Sequence, residues 1–483
     1  MKLDNLTQFF RPLETPIENV TSHYLYLWKN KKPWFLVIKT ILLLMAITGF
    51  IGDVTDFISG TVTNRLLIAA GFLLPGILTL VEYTENYNNR FTSVESEPGV
   101  YDAVEPPSRD WVRMDLSTMN GKEPVFRSDK MDALLRSGKA IPLTRDKIYE
   151  KNLRRRIGEK ETWTKIYLPF LQQNYRQAMY AGKQFYNEKK YGLSQPIDFA
   201  VPKAKVHKTC YFDTYLTNII PGKILTYNQM QTVAANAADP DFLPYYTDTE
   251  GKRHLYTLGE TFTSNECGVT TLLIKPNDRI CLWSQNRMAQ CSTGLLVASG
   301  SGSADWNDCK KFIGDPDGLR KAVVTGMERE LWEESNGTRA NQKKAFLACV
   351  ETRITGYFRW LKKGGKSEFV GLSRLTDRSF LGSLSPEVSE VTAGLDLQAE
   401  SIAVLQKAIG EHLRKEEDGT YTVPRCNVSC TMALNALQDL CGQYCASCSK
   451  AGTCDHSAES CDMRPFEVLF EGIHPLEGIH PLL

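Results

Sequence analysis

Hydrophobic positions fall along this chain in three textures. Near the amino terminus they run unbroken: Trp34 to Gly52 reads WFLVIKTILLLMAITGFIG with one charge, Lys39, and Leu66 to Val81 reads LLIAAGFLLPGILTLV with none. About 20 apolar residues at ~1.5 Å rise cover a hydrocarbon core of about 30 Å. The pattern therefore predicts a transmembrane helical hairpin over 34–82, with Asp53, Asp56 and Arg65 in its polar turn. Lys39 sits near enough to an end to snorkel to the interface, and Pro75 is tolerated inside lipid. A buried helical hairpin of a soluble domain is the other reading this pattern admits. Lys2, Arg11, Lys29, Lys31 and Lys32 precede the first run, against Arg65 alone in the turn. That bias predicts a cytosolic segment over 1–33 and both termini in the cytoplasm. A lipid bilayer is then a partner, and homo-oligomerisation would run through the hairpin.

The second texture is polar. Over 83–129, Glu95, Glu97, Pro98, Glu105, Pro106 and Pro107 predict a linker with little regular structure. Over 130–205 apolar residues recur at helix-like intervals among dense mixed charge, with Pro169 as a kink, which predicts a helical region. Arg154, Arg155 and Arg156 read there as a solvated face or a polyanion contact. The third texture, over 206–390, is one of short β-rich runs: KTCYFDTYLTNII, GVTTLLIKP, DRICLWSQN, TGLLVAS, AFLACVETRIT and SEFVGLSRL. They alternate with one long acidic helix, the pattern of an α/β domain. A helical and Cys-rich carboxy-terminal extension follows over 391–483.

Composition narrows the chemistry. Lys and Arg number 57 against 56 Asp and Glu, so the net charge of +1 gives no global attraction to nucleic acid, and no specific nucleic-acid binding is expected. Facing the cytosol, the 13 cysteines should be thiols or metal ligands rather than disulfides. Cys445 and Cys448 form a CxxC knuckle that Cys454, His456 and Cys461 would complete as a tetrahedral Zn²⁺ site; plain free thiols are the alternative. The 7 histidines are scattered and no GxSxG occurs, which argues against a Ser or Cys hydrolase.

The stretch TGMERELWEESNGT, Thr325 to Thr338, is the most informative. Glu330, Glu333 and Glu334 stand at i, i+3 and i+4, so three carboxylates share one helical face. Their mutual repulsion calls for a cation, and Mg²⁺ or Mn²⁺ takes such oxygen ligands. Arg329 adjoins them and can hold a carboxylate by bidentate hydrogen bonding; an exposed acidic face is the bland alternative. The small-residue loop Ser299 to Trp306 offers backbone N–H groups to phosphate oxygens. Lys362, Lys363 and Lys366, around Gly364 and Gly365, form a basic turn suited to a diphosphate or simply a solvated hairpin.

Arg329-Glu330-Leu331-Trp332-Glu333-Glu334 matches REUxEE, the core of the box that marks the Nudix hydrolase superfamily, and the chain resembles that family over roughly 206–390. Three positions of the box differ: Lys321 stands for its first Glu, Asp315 for its first Gly and Asn336 for its last Gly. The resemblance implies an α/β/α sandwich around a mixed sheet, with Glu330, Glu333 and Glu334 as metal ligands and Arg329 orienting them. It implies metal-dependent cleavage of the diphosphate in a nucleoside diphosphate linked to another moiety, hence a nucleotide-derived small molecule as partner. Glu368, Glu387 and Glu390 are available as a base. The alternative is a sensor-effector that binds a nucleotide and signals to the membrane hairpin; Lys321 favours it by weakening the metal site and adding a cation near phosphate.

Overall fold

The computed structural model describes residues 92–97, 99–181, 185, 187–227, 232–261, 263–285, 294–336, 340–384, 391–423, 425–450, 459–465 and 469–470. The expected transmembrane hairpin over 34–82 lies outside them. Among the described residues no helix is long and apolar enough to cross a membrane.

Two compact units share the chain. One takes residues 1–95, 160–187 and 223–236. Its described part is an antiparallel sheet of Thr92–Glu95, Lys223–Tyr227 and Thr232–Asn236, together with a helical stretch from Lys160 to Ala181. Pro169 sits just after a π-helical turn, Trp163–Tyr167. A proline lacks the N–H that would continue the ladder, and a π-turn is one way a helix absorbs that loss.

The second unit takes 96–159, 188–222 and 237–483 and holds the main sheet. Its elements are β1 (Val112–Thr118), β2 (Gly121–Arg127), α1 (Asp129–Arg136), α2 (Lys147–Ile157), β3 (Lys189–Leu193), β4 (Ala204–Cys210), β5 (Gly268–Lys275), β6 (Arg279–Gln285) and β7 (Gly300–Ser303). Then follow α3 (Gly318–Asn336), β8 (Val350–Trp360), β9 (Lys366–Leu375), β10 (Val391–Gln398), α4 (Ile402–Gly410), β11 (Tyr421–Val423) and α5 (Val428–Lys450). The central order is β6, β5, β9, β8, β2, β1, β11, with β7 added to β5 and β10 to β6. Pairing is parallel at β5–β9 and β11–β1 and antiparallel elsewhere among these strands, so the sheet is mixed.

Strand alternation sets the layers, because successive side chains of a strand face opposite ways. Leu272, Ile274, Val370 and Leu372 pack against Ile402, Leu405, Leu434 and Leu437 of α4 and α5. Val269, Phe369 and Tyr357 pack against Met131 and Leu135 of α1 and Leu319, Val323 and Met327 of α3. Helices thus cover both faces of a mixed sheet.

Three expected boundaries change. The supposed linker over 83–129 contributes the hairpin β1–β2: Met114 and Leu116 point into the core, and its turn is followed by Gly121 at φ 100°, a backbone open to glycine. The prolines that suggested a linker all precede Val112. The helical region over 130–205 holds α1 and α2 but also β3 and the first two residues of β4, and residues 160–187 of it belong to the other unit. The supposed extension over 391–483 supplies β10 to the main sheet and the α4–α5 layer to its core.

One buried group makes stability pH-dependent. His207 of β4 is fully buried against the Tyr149 ring, centroids 4.4 Å apart, and burial pushes its pKa down to about 3. Between that value and the ~6.5 of an unfolded histidine the unfolded chain binds the extra proton, so stability falls as pH drops below about 6.5. In thermal scans from pH 7 to pH 4, His207→Gln is expected to flatten that decline by up to one proton's worth of slope; an unchanged slope would contradict the assignment.

Candidate functional site

The acidic run lies in α3, whose apolar positions Leu319, Val323, Met327 and Leu331 are buried and thereby aim the next face at β7. The approach is close. A Cβ on Gly300 would collide with the backbone of Leu331, and one on Gly302 would collide with the carboxyl group of Glu330. Small residues in this strand are what let the acidic helix lie against it.

Arg329 organises the face. Its Nη1 donates to Glu330 Oε1 and Glu333 Oε2, both at 2.8 Å. Its other nitrogens reach Asp308 at 3.1 Å, Asp305 at 3.6 Å and the carbonyl of Ser303 at 2.9 Å. Glu334 accepts the backbone N–H of Ser301 at 2.9 Å. Glu330 and Glu334 are buried, whereas the Glu333 side chain is 43% exposed. Burial pushes Glu330 up to about 7, against the pull of the neighbouring guanidinium.

Lys321 does not join the face. Its ammonium pairs with Asp315 at 2.7 Å, so two of the three residues that depart from the box bind each other. The acid that anchors Arg329 from outside the helix is instead Asp308, in a short helical turn, Trp306–Cys309, capped by Asp305. The spacing Asp305-Trp306-Asn307-Asp308 is a capping signature legible in sequence, though its role toward Arg329 is not.

Behind this face lies a buried polar cluster. Lys190 of β3 pairs with Glu188 and Asp305, each at 2.6 Å. Lys366 of β9 pairs with Glu368 at 2.8 Å and Glu266 at 3.6 Å. Glu266 in turn accepts Ser303 Oγ–H and, at 2.8 Å, Thr214 Oγ1–H. Lys190 and Glu266 arrive through sheet pairing far apart in sequence, which is why no local pattern announces them.

The expected phosphate-binding lysines separate. Lys366 is buried in that cluster, Lys362 lies 3.6 Å from Glu123, and Lys363 lies over the Trp360 ring at 3.7 Å. All three ammonium groups are therefore engaged, by acids of β2, of β9 and of the segment before β5 and by the Trp360 indole. Glu368 is held by Lys366, and Glu387 and Glu390 lie outside the described residues. Of the zinc set, Cys445 and Cys461 are packed in the apolar core under α5; Cys454, His456 and the side chain of Cys448 lie outside the described residues.

Whether the acids can take a metal depends on donor type and convergence. Carboxylate oxygens suit Mg²⁺ or Mn²⁺, and Glu330 and Glu333 converge on a single cationic nitrogen. The charge gathering them here is the guanidinium of Arg329. Among the described residues no three His, Cys, Asp or Glu side chains come close enough to share a metal ion. Gly302→Ala is expected to displace the Glu330 carboxyl and cost about 1–3 kcal/mol by overpacking. Urea unfolding measures the loss; wild-type stability would show that the helix does not press on β7.

No family model and no curated protein matches the chain. Among solved structures, a protein of Deinococcus radiodurans, 10% identical, aligns over 35% of this chain and 81% of its own, with a TM-score of 0.21. A Nudix hydrolase from Alicyclobacillus acidocaldarius, 13% identical, aligns over 35% of this chain and 89% of its own, with a TM-score of 0.24. At such TM-scores the likeness carries no argument about family or mechanism.

Proposed function

We propose that the chain is a metal-dependent hydrolase of Nudix type, cleaving the diphosphate of a nucleoside diphosphate linked to another moiety, anchored in a membrane by the apolar runs within 34–82. The observation that supports it is the way Arg329 gathers Glu330 and Glu333 while the Ser301 N–H fixes Glu334. These residue types in this order make up the box core, and the two buried acids lie against glycine-bearing β7.

In this reading Glu330, Glu333 and Glu334, which do not converge by themselves, would be drawn together on Mg²⁺ or Mn²⁺. When bound, the metal supplies Lewis-acid polarisation of a phosphoryl oxygen and a more acidic water. The chain's own residues do the positioning. Arg329 fixes the rotamers of Glu330 and Glu333, and Asp308 fixes Arg329 from outside the helix. Lys190 and Lys366 balance the charge of the acids behind the face. The binding-only reading drew on Lys321, and that ammonium is committed to Asp315.

The test is incubation of the intact protein with a panel of nucleoside diphosphate derivatives and Mg²⁺ or Mn²⁺. Release of a nucleoside monophosphate, abolished by EDTA, is the expected result. Binding of a nucleotide with no product under any metal would replace this proposal with the sensor reading.

A further inference from the structure

Arg154, Arg155 and Arg156 read in sequence as a solvated face or a polyanion contact, and the fold separates them. Arg156 is taken internally: its guanidinium donates to the carbonyl of Thr261 at 3.2 Å and to that of Asp241. Arg154 and Arg155 are exposed, as are Lys147 and Lys151 earlier in α2. At ~100° per residue these four and Ile148, which is 76% exposed, fall within about 120° of arc around the helix. Tyr149, Leu153 and Ile157 take the opposite side and are buried.

The stripe has no counter-charge of its own. Glu150, the one acid in α2, accepts Arg145 Nη2–H at 2.9 Å and the Lys208 N–H at 3.3 Å. Asp146 caps the helix through the Tyr149 N–H at 2.9 Å. Arg154 feels one buried acid, Asp213, whose carboxyl is already bound by Thr209 Oγ1–H and the Cys210 N–H. Among the described residues no ion pair joins any of the four cations to a carboxylate. Lys147 and Lys151, and Lys151 and Arg155, are like charges at i, i+4, which weaken a helix. The macrodipole favours Arg154 and Arg155 in the last turn but disfavours Lys147 in the first. The excess of cations continues onto the sheet: burial first, then Lys189 and Arg154, lower the pKa of Lys208 in β4. Lys147 and exposed Ile148 thus gain nothing from the fold itself.

We propose that this face of α2 rests on an anionic lipid surface, its four cations among the headgroups and Ile148 inserted between them. Cations near such a surface each add attraction, and an aliphatic side chain enters the headgroup boundary. A nucleic acid would call instead for aromatic rings on which bases stack, and the stripe carries none. The proposal rests neither on the glutamates of α3 nor on insertion of the apolar runs within 34–82.

The experiment is lysine acetylation of the intact protein, read residue by residue by mass spectrometry, with vesicles of phosphatidylcholine alone or with about 30% phosphatidylserine. Lys147 and Lys151 are expected to react at least about threefold more slowly with the anionic vesicles, and the difference to vanish on raising salt from ~0.1 M to ~0.5 M. Lys252, whose side chain is 57% exposed, is the internal reference. Arg154→Glu combined with Arg155→Glu leaves both reporter lysines in place and should abolish the difference, with the lipid-free thermal midpoint close to wild type. Arg154→Lys combined with Arg155→Lys should retain it, and Ile148→Ser should reduce it. Association with the neutral vesicles reports the apolar runs separately, so a protein that inserts while both lysines react equally in the two lipids overturns this proposal and leaves the anchor standing. A difference unchanged by the paired Glu substitutions, or protection by a single-stranded RNA oligonucleotide and not by anionic vesicles, also overturns it.

Discussion

Glu334→Gln, in the intact chain, is expected to lower metal-dependent kcat/KM by more than about a hundredfold, because groups that merely orient metal ligands already account for about 10–100-fold. The substitution is chosen for what it leaves alone. Glu334 is buried and receives the Ser301 N–H at 2.9 Å. A glutamine amide oxygen accepts the same hydrogen bond in the same volume, so the change removes charge with little change of shape. Folding should survive, and the thermal midpoint without metal should stay near wild type. Glu333→Gln should lose activity too, and with a smaller structural consequence, since its side chain is 43% exposed. Full activity in both variants would remove the catalytic reading altogether.

The largest stability effect is expected at Arg329. It faces Glu330, Glu333, Asp308 and Asp305, with the nearest oxygens at 2.8 Å and its own side chain 15% exposed. Arg329→Met leaves buried Glu330 and Asp308 without that cation. Breaking a buried pair from one side costs about 3–5 kcal/mol, which for a unit of this size is a fall in midpoint on the order of 10 °C. The sign with pH follows from linkage. Burial raises the Glu330 carboxyl and the guanidinium lowers it, so without Arg329 that carboxyl holds its proton to a pH above the value of about 7 it has in wild type. The variant therefore regains stability relative to wild type as pH falls from 8 toward about 7, below which Glu330 is protonated in both. Thermal scans at pH 8 and pH 5 measure both effects. A variant within 1 °C of wild type at both would mean the acids are stabilised by something else.

How much of this was legible beforehand differs by element. The periodicity of GVTTLLIKP and SEFVGLSRL announced the central strands, and the ordered acids of α3 announced the candidate face, because both depend on neighbours in sequence. The hairpin β1–β2 was masked by the prolines and glutamates just before it, even though Met114 and Leu116 carry the alternation. β10 was absorbed into a helical pattern, and its place in the sheet is decided by pairing with β6 more than a hundred residues earlier. The partners of Arg329, Lys190 and Lys366 come from separate strands and turns, so no spacing rule reveals them.

The measurement closest to the central claim is Mn²⁺ binding followed by electron paramagnetic resonance on the intact protein, alone and with Glu330→Gln, Glu333→Gln and Glu334→Gln. The account predicts that wild type quenches the signal of free Mn²⁺ stoichiometrically and that each substitution weakens binding at least tenfold. Absence of binding at millimolar Mn²⁺, or binding unchanged by all three substitutions, would contradict it.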